Sequence, residues 1–173
     1  KMMLQSPETL HAALNHFADA VGQYACHQIE CGAQVMQFFE SWAHHLGPTQ
    51  FEVYAKPYAD RAMRYVKERH PDVPVVYYAN GGSPYLANQR DMVADVISLD
   101  WATDMAAGRE ILGADRLVQG NVDPTVLFGS AEVIDKDHLI SSVERVLVPI
   151  HIVGRPRSSL RLLPRPPGRL FSH

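Results

Sequence analysis

Apolar and polar positions along the chain follow two alternating periods. Ser6-Pro7-Glu8 places a hydroxyl cap, a first-turn proline and an acid together, which marks a helix start. Leu10, Leu14, Phe17, Val21 and Tyr24 follow at three- and four-residue spacing and predict one apolar stripe turned toward a core, with Gly32 placed to end the helix. Residues 34–39 are a short apolar run that predicts a strand, and residues 40–48 read as a loop. Pro57 can open a second helix with Tyr58, Ala62, Tyr65 and Val66 on one face, closed by His70-Pro71.

The pattern then repeats. Residues 73–79 are a β-branched and aromatic strand ending in Asn80-Gly81-Gly82-Ser83, and a short helix fits Pro84 to Met92. Residues 96–99 predict a strand ending in Asp100-Trp101, after which Thr103 caps a helix reaching Leu112 and stopping at Gly113. Residues 116–119 predict a strand ending in Gly120-Asn121-Val122-Asp123-Pro124, and Ser130 caps one more helix. Four short, continuously apolar strands between helices imply an α/β fold with a parallel sheet buried on both faces. About four parallel β/α units fit either a partial (β/α)8 barrel or most of a doubly wound sheet, and periodicity does not choose between them. No Gly-x-Gly-x-x-Gly or Walker-type run follows a strand, which weakens nucleotide-binding versions of the second.

Composition narrows the class. With 46% hydrophobic and 20% charged residues the chain has the make-up of a globular domain. No apolar run approaches the roughly 18 residues that would span a membrane, so no membrane span is expected. The first residues, Lys1-Met2-Met3-Leu4-Gln5, have neither a signal-peptide core nor a transit-peptide composition. Cys26 and Cys31 lie on one predicted helix with no second pair to complete a zinc site, so reduced thiols and no metal are expected.

Charge is uneven: residues 145–173 contain six Arg and no Asp or Glu, whereas all nineteen acidic residues precede them. That break divides the chain into a domain over residues 1–147 and an irregular Arg/Pro-rich tail over 148–173. Such a tail is either a disordered basic arm or what GC-rich coding sequence yields out of frame. Its few aromatics argue against a nucleic-acid platform.

The polar groups gather at the strand C-termini: Glu40-Ser41-Trp42, Asn80-Gly81-Gly82, Asp100-Trp101 and Gln119-Gly120-Asn121-Val122-Asp123. In a (β/α)8 barrel these positions line the active face. Each has a plainer reading. A loop serine can bond its own backbone. Asp100 can cap the next helix or bond backbone amides, and Gln119, Asn121 and Asp123 can shape a tight turn. Adjacent His44 and His45 suit solvent as well as acid–base work, and Trp42 and Trp101 suit packing.

Phe39-Glu40-Ser41-Trp42-Ala43 with Leu46-Gly47-Pro48, Ser98-Leu99-Asp100-Trp101 with Asp104-Met105-Ala106, and Val118-Gln119-Gly120-Asn121-Val122-Asp123-Pro124 with Leu127-Phe128-Gly129-Ser130 together resemble the uroporphyrinogen decarboxylase family. The motifs stand in the family's order over roughly residues 5 to 135, in a version closer to plastid-type enzymes of plants and algae than to animal cytosolic ones. The resemblance implies a (β/α)8 barrel, a homodimer, no metal or organic cofactor, and a carboxy-lyase that removes four acetate carboxyl groups from uroporphyrinogen III to give coproporphyrinogen III and carbon dioxide. It implies porphyrin synthesis for haem and chlorophyll, in a plastid or, alternatively, the cytoplasm. It also implies substrate binding by Ser41, with Asn80, Gly81, Asp100 and Gln119 as pocket-lining candidates. The family's catalytic aspartate, arginine-rich segment and substrate-contacting tyrosine come earlier in its chain, and its Asn-Leu-Gly-His-Gly histidine comes later. None has a counterpart in residues 1–173, so no catalytic residue is assigned here. Two other readings stay open: a non-catalytic half-barrel that binds an acidic surface, and a related corrinoid-dependent methyltransferase barrel.

Overall fold

In the computed structural model, residues 1–135 are described. The tail assigned from composition lies outside them. A one-turn helix α1 (Met2–Gln5) leads through Ser6 into the 24-residue α2 (Pro7–Glu30). Then come β1 (Met36–Glu40), α3 (Pro48–Tyr54), α4 (Lys56–Arg69), β2 (Val75–Ala79), α5 (Leu86–Gln89), β3 (Val96–Ser98), α6 (Met105–Leu112) and β4 (Leu117–Gln119). Three-residue 3-10 turns precede α3 and α5.

The four strands form one sheet in the order β1-β2-β3-β4, every neighbouring pair parallel. That order decides what periodicity left open. A doubly wound sheet reverses direction at a switch point and puts helices on both faces. Here the order never reverses, and right-handed crossovers then stack every helix on one side. The core lies on that side. Met36, Val75, Tyr77, Ala79, Ile97 and Leu99 from the strands meet Ala25 and Cys26 of α2, Phe51 of α3, Met63 and Val66 of α4, and Met105 and Leu112 of α6. Four units wound this way are an arc of a (β/α)8 barrel.

Several local expectations change. The loop predicted over 40–48 contains a 3-10 turn, and Pro48 opens α3 before Pro57 sits in the first turn of α4. The predicted helix over 84–92 is only a 3-10 turn followed by α5. Thr103 is not the cap of α6. Asp104 is, with its side chain accepting from the Ala107 N–H at 2.8 Å.

The largest correction concerns α2. Its bulky stripe does not face the core: Phe17 is 62% exposed and Tyr24 63%. The buried face is Ala18, Gly22, Ala25 and Cys26, about 100° round the helix. Small residues there let α4 approach closely, because a Cβ on Gly22 would lie 2.7 Å from the Tyr65 Cβ. Phe17, Val21 and Tyr24 instead line a groove of about 370 Å³ with Met36, Phe38 and Glu40 along the free edge of β1. That is where the strand before β1 would lie in a closed barrel. Gly22→Val is expected to cost about 1–3 kcal/mol by forcing α2 from α4. Urea unfolding of the two proteins checks it, and equal midpoints would show that the contact yields without cost.

Candidate functional site

The C-terminal ends of the four strands bring their loops to one rim. Each loop is tied to the next. The Asn80 side-chain amide donates to the Ser41 carbonyl at 3.1 Å and lies 3.4 Å from His44 Nδ1. The Gly81 N–H donates to Asp100 Oδ2 at 2.9 Å, and the Ser83 and Thr103 hydroxyls are 2.7 Å apart. The Asn121 side-chain amide donates to the Thr103 carbonyl and, at 3.5 Å, to the Asp100 carbonyl. The Leu99 N–H donates to the Gln119 carbonyl at 2.8 Å. The five residues singled out from the sequence therefore share one end of the sheet.

Glycine is required twice on this rim. Gly81 has φ +67, and a Cβ there would lie 2.7 Å from the His44 Cβ. Gly120 has φ +113, and a Cβ there would lie 2.6 Å from the Leu99 carbonyl oxygen. Side-chain-bearing residues adopt such φ only with strain.

Asp100 is 4% exposed. Its carboxylate accepts from the Gly81 N–H, the Ala102 N–H at 3.0 Å and the Tyr78 hydroxyl at 3.2 Å. The backbone-binding reading of Asp100 thus holds, and it joins two loops rather than capping one helix. Asn121 and Asp123 likewise shape turns, with Asp123 accepting from the Thr125 N–H and hydroxyl at 2.8 Å each. Ser41 is exposed, and among the described residues its hydroxyl has no hydrogen-bond partner, so the self-bonded loop serine is not what forms. Trp42 and Trp101 are not packing residues: they are 68% and 53% exposed. Trp42 stacks on His45 at 5.3 Å, and His45 lies 4.3 Å from the His44 ring centroid, all on the outer surface of the rim.

The concave face of the sheet holds a row of which sequence reading singled out only Gln119. Strand register puts Phe39, Tyr78, Ser98 and Gln119 side by side across all four strands. They point away from the helices, opposite to Phe38, Tyr77, Ile97 and Val118, which join the core. Phe39 is 65% exposed and meets Tyr78 edge-on, with centroids 6.0 Å apart at 70°. Burial first, and then the Asp100 carboxylate, push the Tyr78 hydroxyl above its ordinary pKa and keep it a donor. The signal was the two-residue strand period, but adjacent Tyr77 and Tyr78 do not reveal which faces inward.

Glu40 takes the opposite side, at the end of the groove. Burial raises its pKa, partly opposed by a hydrogen bond from the Trp42 N–H. No Lys, Arg or His among the described residues pairs with it. A raised folded-state pKa means that the native state keeps a proton the unfolded chain has released, so stability falls as pH rises from the unfolded value through the folded one. Glu40→Gln should therefore gain melting temperature over the parent as pH goes from about 4 to about 7. A gap that is constant across that range would remove Glu40 as the cause.

The arc, with polar groups and loops gathered at the strand C-termini, defines a (β/α)-barrel segment. Comparison with known proteins specifies it. The uroporphyrinogen decarboxylase (URO-D) family matches residues 1–148. The chain is 42% identical to a uroporphyrinogen decarboxylase of Crocosphaera subtropica over 168 residues, 92% of this chain and 47% of that protein. It is 44% identical to one of Picosynechococcus over 144 residues, 83% and 41% respectively, and 39% identical to one of Prochlorococcus marinus over 170 residues, 98% and 48%. The chain belongs to the uroporphyrinogen decarboxylase family, and it spans about half the length of the curated relatives it matches. Among the described residues, no helix is long and apolar enough to cross a membrane.

Proposed function

We propose that this chain supplies part of the active face of a uroporphyrinogen decarboxylase, which removes the four acetate carboxyl groups of uroporphyrinogen III to give coproporphyrinogen III and carbon dioxide. The observation that carries the reading is the loop rim: residues matching the family's motifs converge at one end of the sheet, with the Ser41 hydroxyl exposed. Ser41 is the substrate-binding residue in this reading, and Asn80, Gly81, Asp100 and Gln119 build the pocket wall behind it. The chemistry needs no organic cofactor in principle. Protonating an electron-rich pyrrole creates a cationic sink into which the adjacent acetate can lose its carboxyl group. The protein must hold the macrocycle and stabilise that cation. A homodimer, and a plastid rather than cytoplasmic site serving haem and chlorophyll, complete the proposal; the cyanobacterial origin of the three relatives supports the plastid part.

A chimera tests it. Residues 1–148 replace the matching stretch of the Crocosphaera protein, and coproporphyrinogen III is measured from uroporphyrinogen III. Activity within about 10-fold of the parent is expected, and a folded chimera without product would refute the decarboxylase reading. The exposed apolar groove along β1 favours a second reading, a half-barrel that binds another protein, and an inactive but folded chimera would leave that one standing.

A further inference from the structure

The catalytic-face loops account for Ser41, Asn80 and Gly81, but not for a half-buried tyrosine on the concave face whose hydroxyl is tied to a buried acid. We propose that Tyr78 is a substrate-contacting residue that packs against one pyrrole ring of the porphyrinogen, and that Asp100 is the positioning residue that holds its ring in place. This rests on the decarboxylase reading of the same rim.

Three observations carry it. First, Tyr78 lies in the top inward row, between Phe39 on β1 and Ser98 on β3, on the face that no helix among the described residues covers. A ring placed there fills no core, unlike its neighbour Tyr77, which is 1% exposed. Second, Phe39 and Tyr78 meet edge-to-face at 6.0 Å, which builds a rigid aromatic corner from two adjacent strands. A porphyrinogen presents four separate pyrrole π faces joined by saturated methylene bridges and carries its carboxylates at the rim, so one pyrrole ring suits an aromatic floor with polar loops above. Third, the Tyr78 hydroxyl donates to Asp100 Oδ2, the same oxygen that receives the Gly81 N–H. One buried carboxylate oxygen therefore sets the Tyr78 ring relative to the loop that Asn80 ties to Ser41. A ring fixed in this way loses little freedom when a ligand settles on it.

The test uses the active chimera, with the thermal stability of the 173-residue chain as a check that each variant folds. Tyr78→Leu removes the aromatic face and should raise KM about 10-fold while kcat stays within about 2-fold. Tyr78→Phe keeps the ring and removes only the tether, and should raise KM about 3-fold. Asp100→Asn should raise KM at least as much as Tyr78→Phe, and adding Tyr78→Phe to it should change KM no further, because both act through one bond. The proposal is overturned if Tyr78→Leu leaves KM unchanged or lowers kcat alone, or if the effects of Tyr78→Phe and Asp100→Asn multiply. If Tyr78→Leu fails to fold, Tyr78→Phe and the double variant decide by the same criterion. A wild-type chimera that makes no coproporphyrinogen sinks the underlying reading first, whereas an active chimera indifferent to Tyr78 sinks only this one.

Discussion

Residues 1–173 expressed alone should decarboxylate uroporphyrinogen III at least about 10⁴-fold more slowly than the chimera. The reaction requires a group that stabilises a protonated pyrrole, and the resemblance places the family's catalytic aspartate outside residues 1–173. It also requires cations that anchor several carboxylates at once. Three of the arginines in the described region are held in contacts of their own. Arg61 pairs with Asp19 at 2.6 Å, Arg69 lies over the Tyr65 ring at 3.5 Å, and Arg116 donates to the Gln89 and Met92 carbonyls. Arg61, Arg64 and Arg69 all sit on α4, on the helical side of the sheet. Losing orientation and electrostatic stabilisation together removes the two largest contributions such an enzyme has. A discontinuous assay for coproporphyrinogen over hours gives the answer. Turnover by the isolated chain at a rate near that of the chimera would mean that the catalytic groups lie within these 173 residues.

Phe51→Ala should cost about 3–5 kcal/mol, the usual range for emptying a buried aromatic site. Phe51 is 0% exposed and is the only buried residue of α3. Its ring stacks on Tyr85 at 4.3 Å and 12°, which joins α3 to the turn before α5. The segment carrying Ser41 runs from β1 to α3, so Phe51 anchors one end of it. Against a typical domain stability of about 5–15 kcal/mol, this loss leaves little reserve. Chemical unfolding followed by circular dichroism measures it, and a loss below about 1 kcal/mol would show that the site collapses around the gap.

The strand–helix alternation was legible in the chain because buried parallel strands are short apolar runs, and all four occur within one or two residues of where the pattern put them. The choice between barrel and doubly wound sheet was not legible in the period, since strand order depends on which edges pair; the motifs' resemblance to the family supplied it, and the strand order agrees. The orientation of α2 was misread for a related reason. Phe17, Val21 and Tyr24 form the more apolar stripe, yet contact with α4 is decided by closeness of approach, which Gly22 and its alanine neighbours allow. On the rim, Ser41, Asn80, Gly81, Asp100 and Gln119 could be placed at strand ends from the sequence. Tyr78 could not, because its distinction from Tyr77 is a matter of facing, and its tie to Asp100 spans 22 residues.

The serial stitching of the rim has a consequence for how its loops can change. Each loop bonds to the next along the sheet: the first to the second through Asn80, the second to the third through Gly81 and Ser83, the third to the fourth through Asn121. The described bonds include no cross-tie from the first loop to the fourth. A disturbance therefore spreads like a fault along a zip fastener, strongly to its neighbour and faintly beyond. Such an arrangement is modular. Variation in the fourth loop can reshape one end of the rim while Ser41 keeps its place, so the two ends are free to drift at different rates in descendants of this chain.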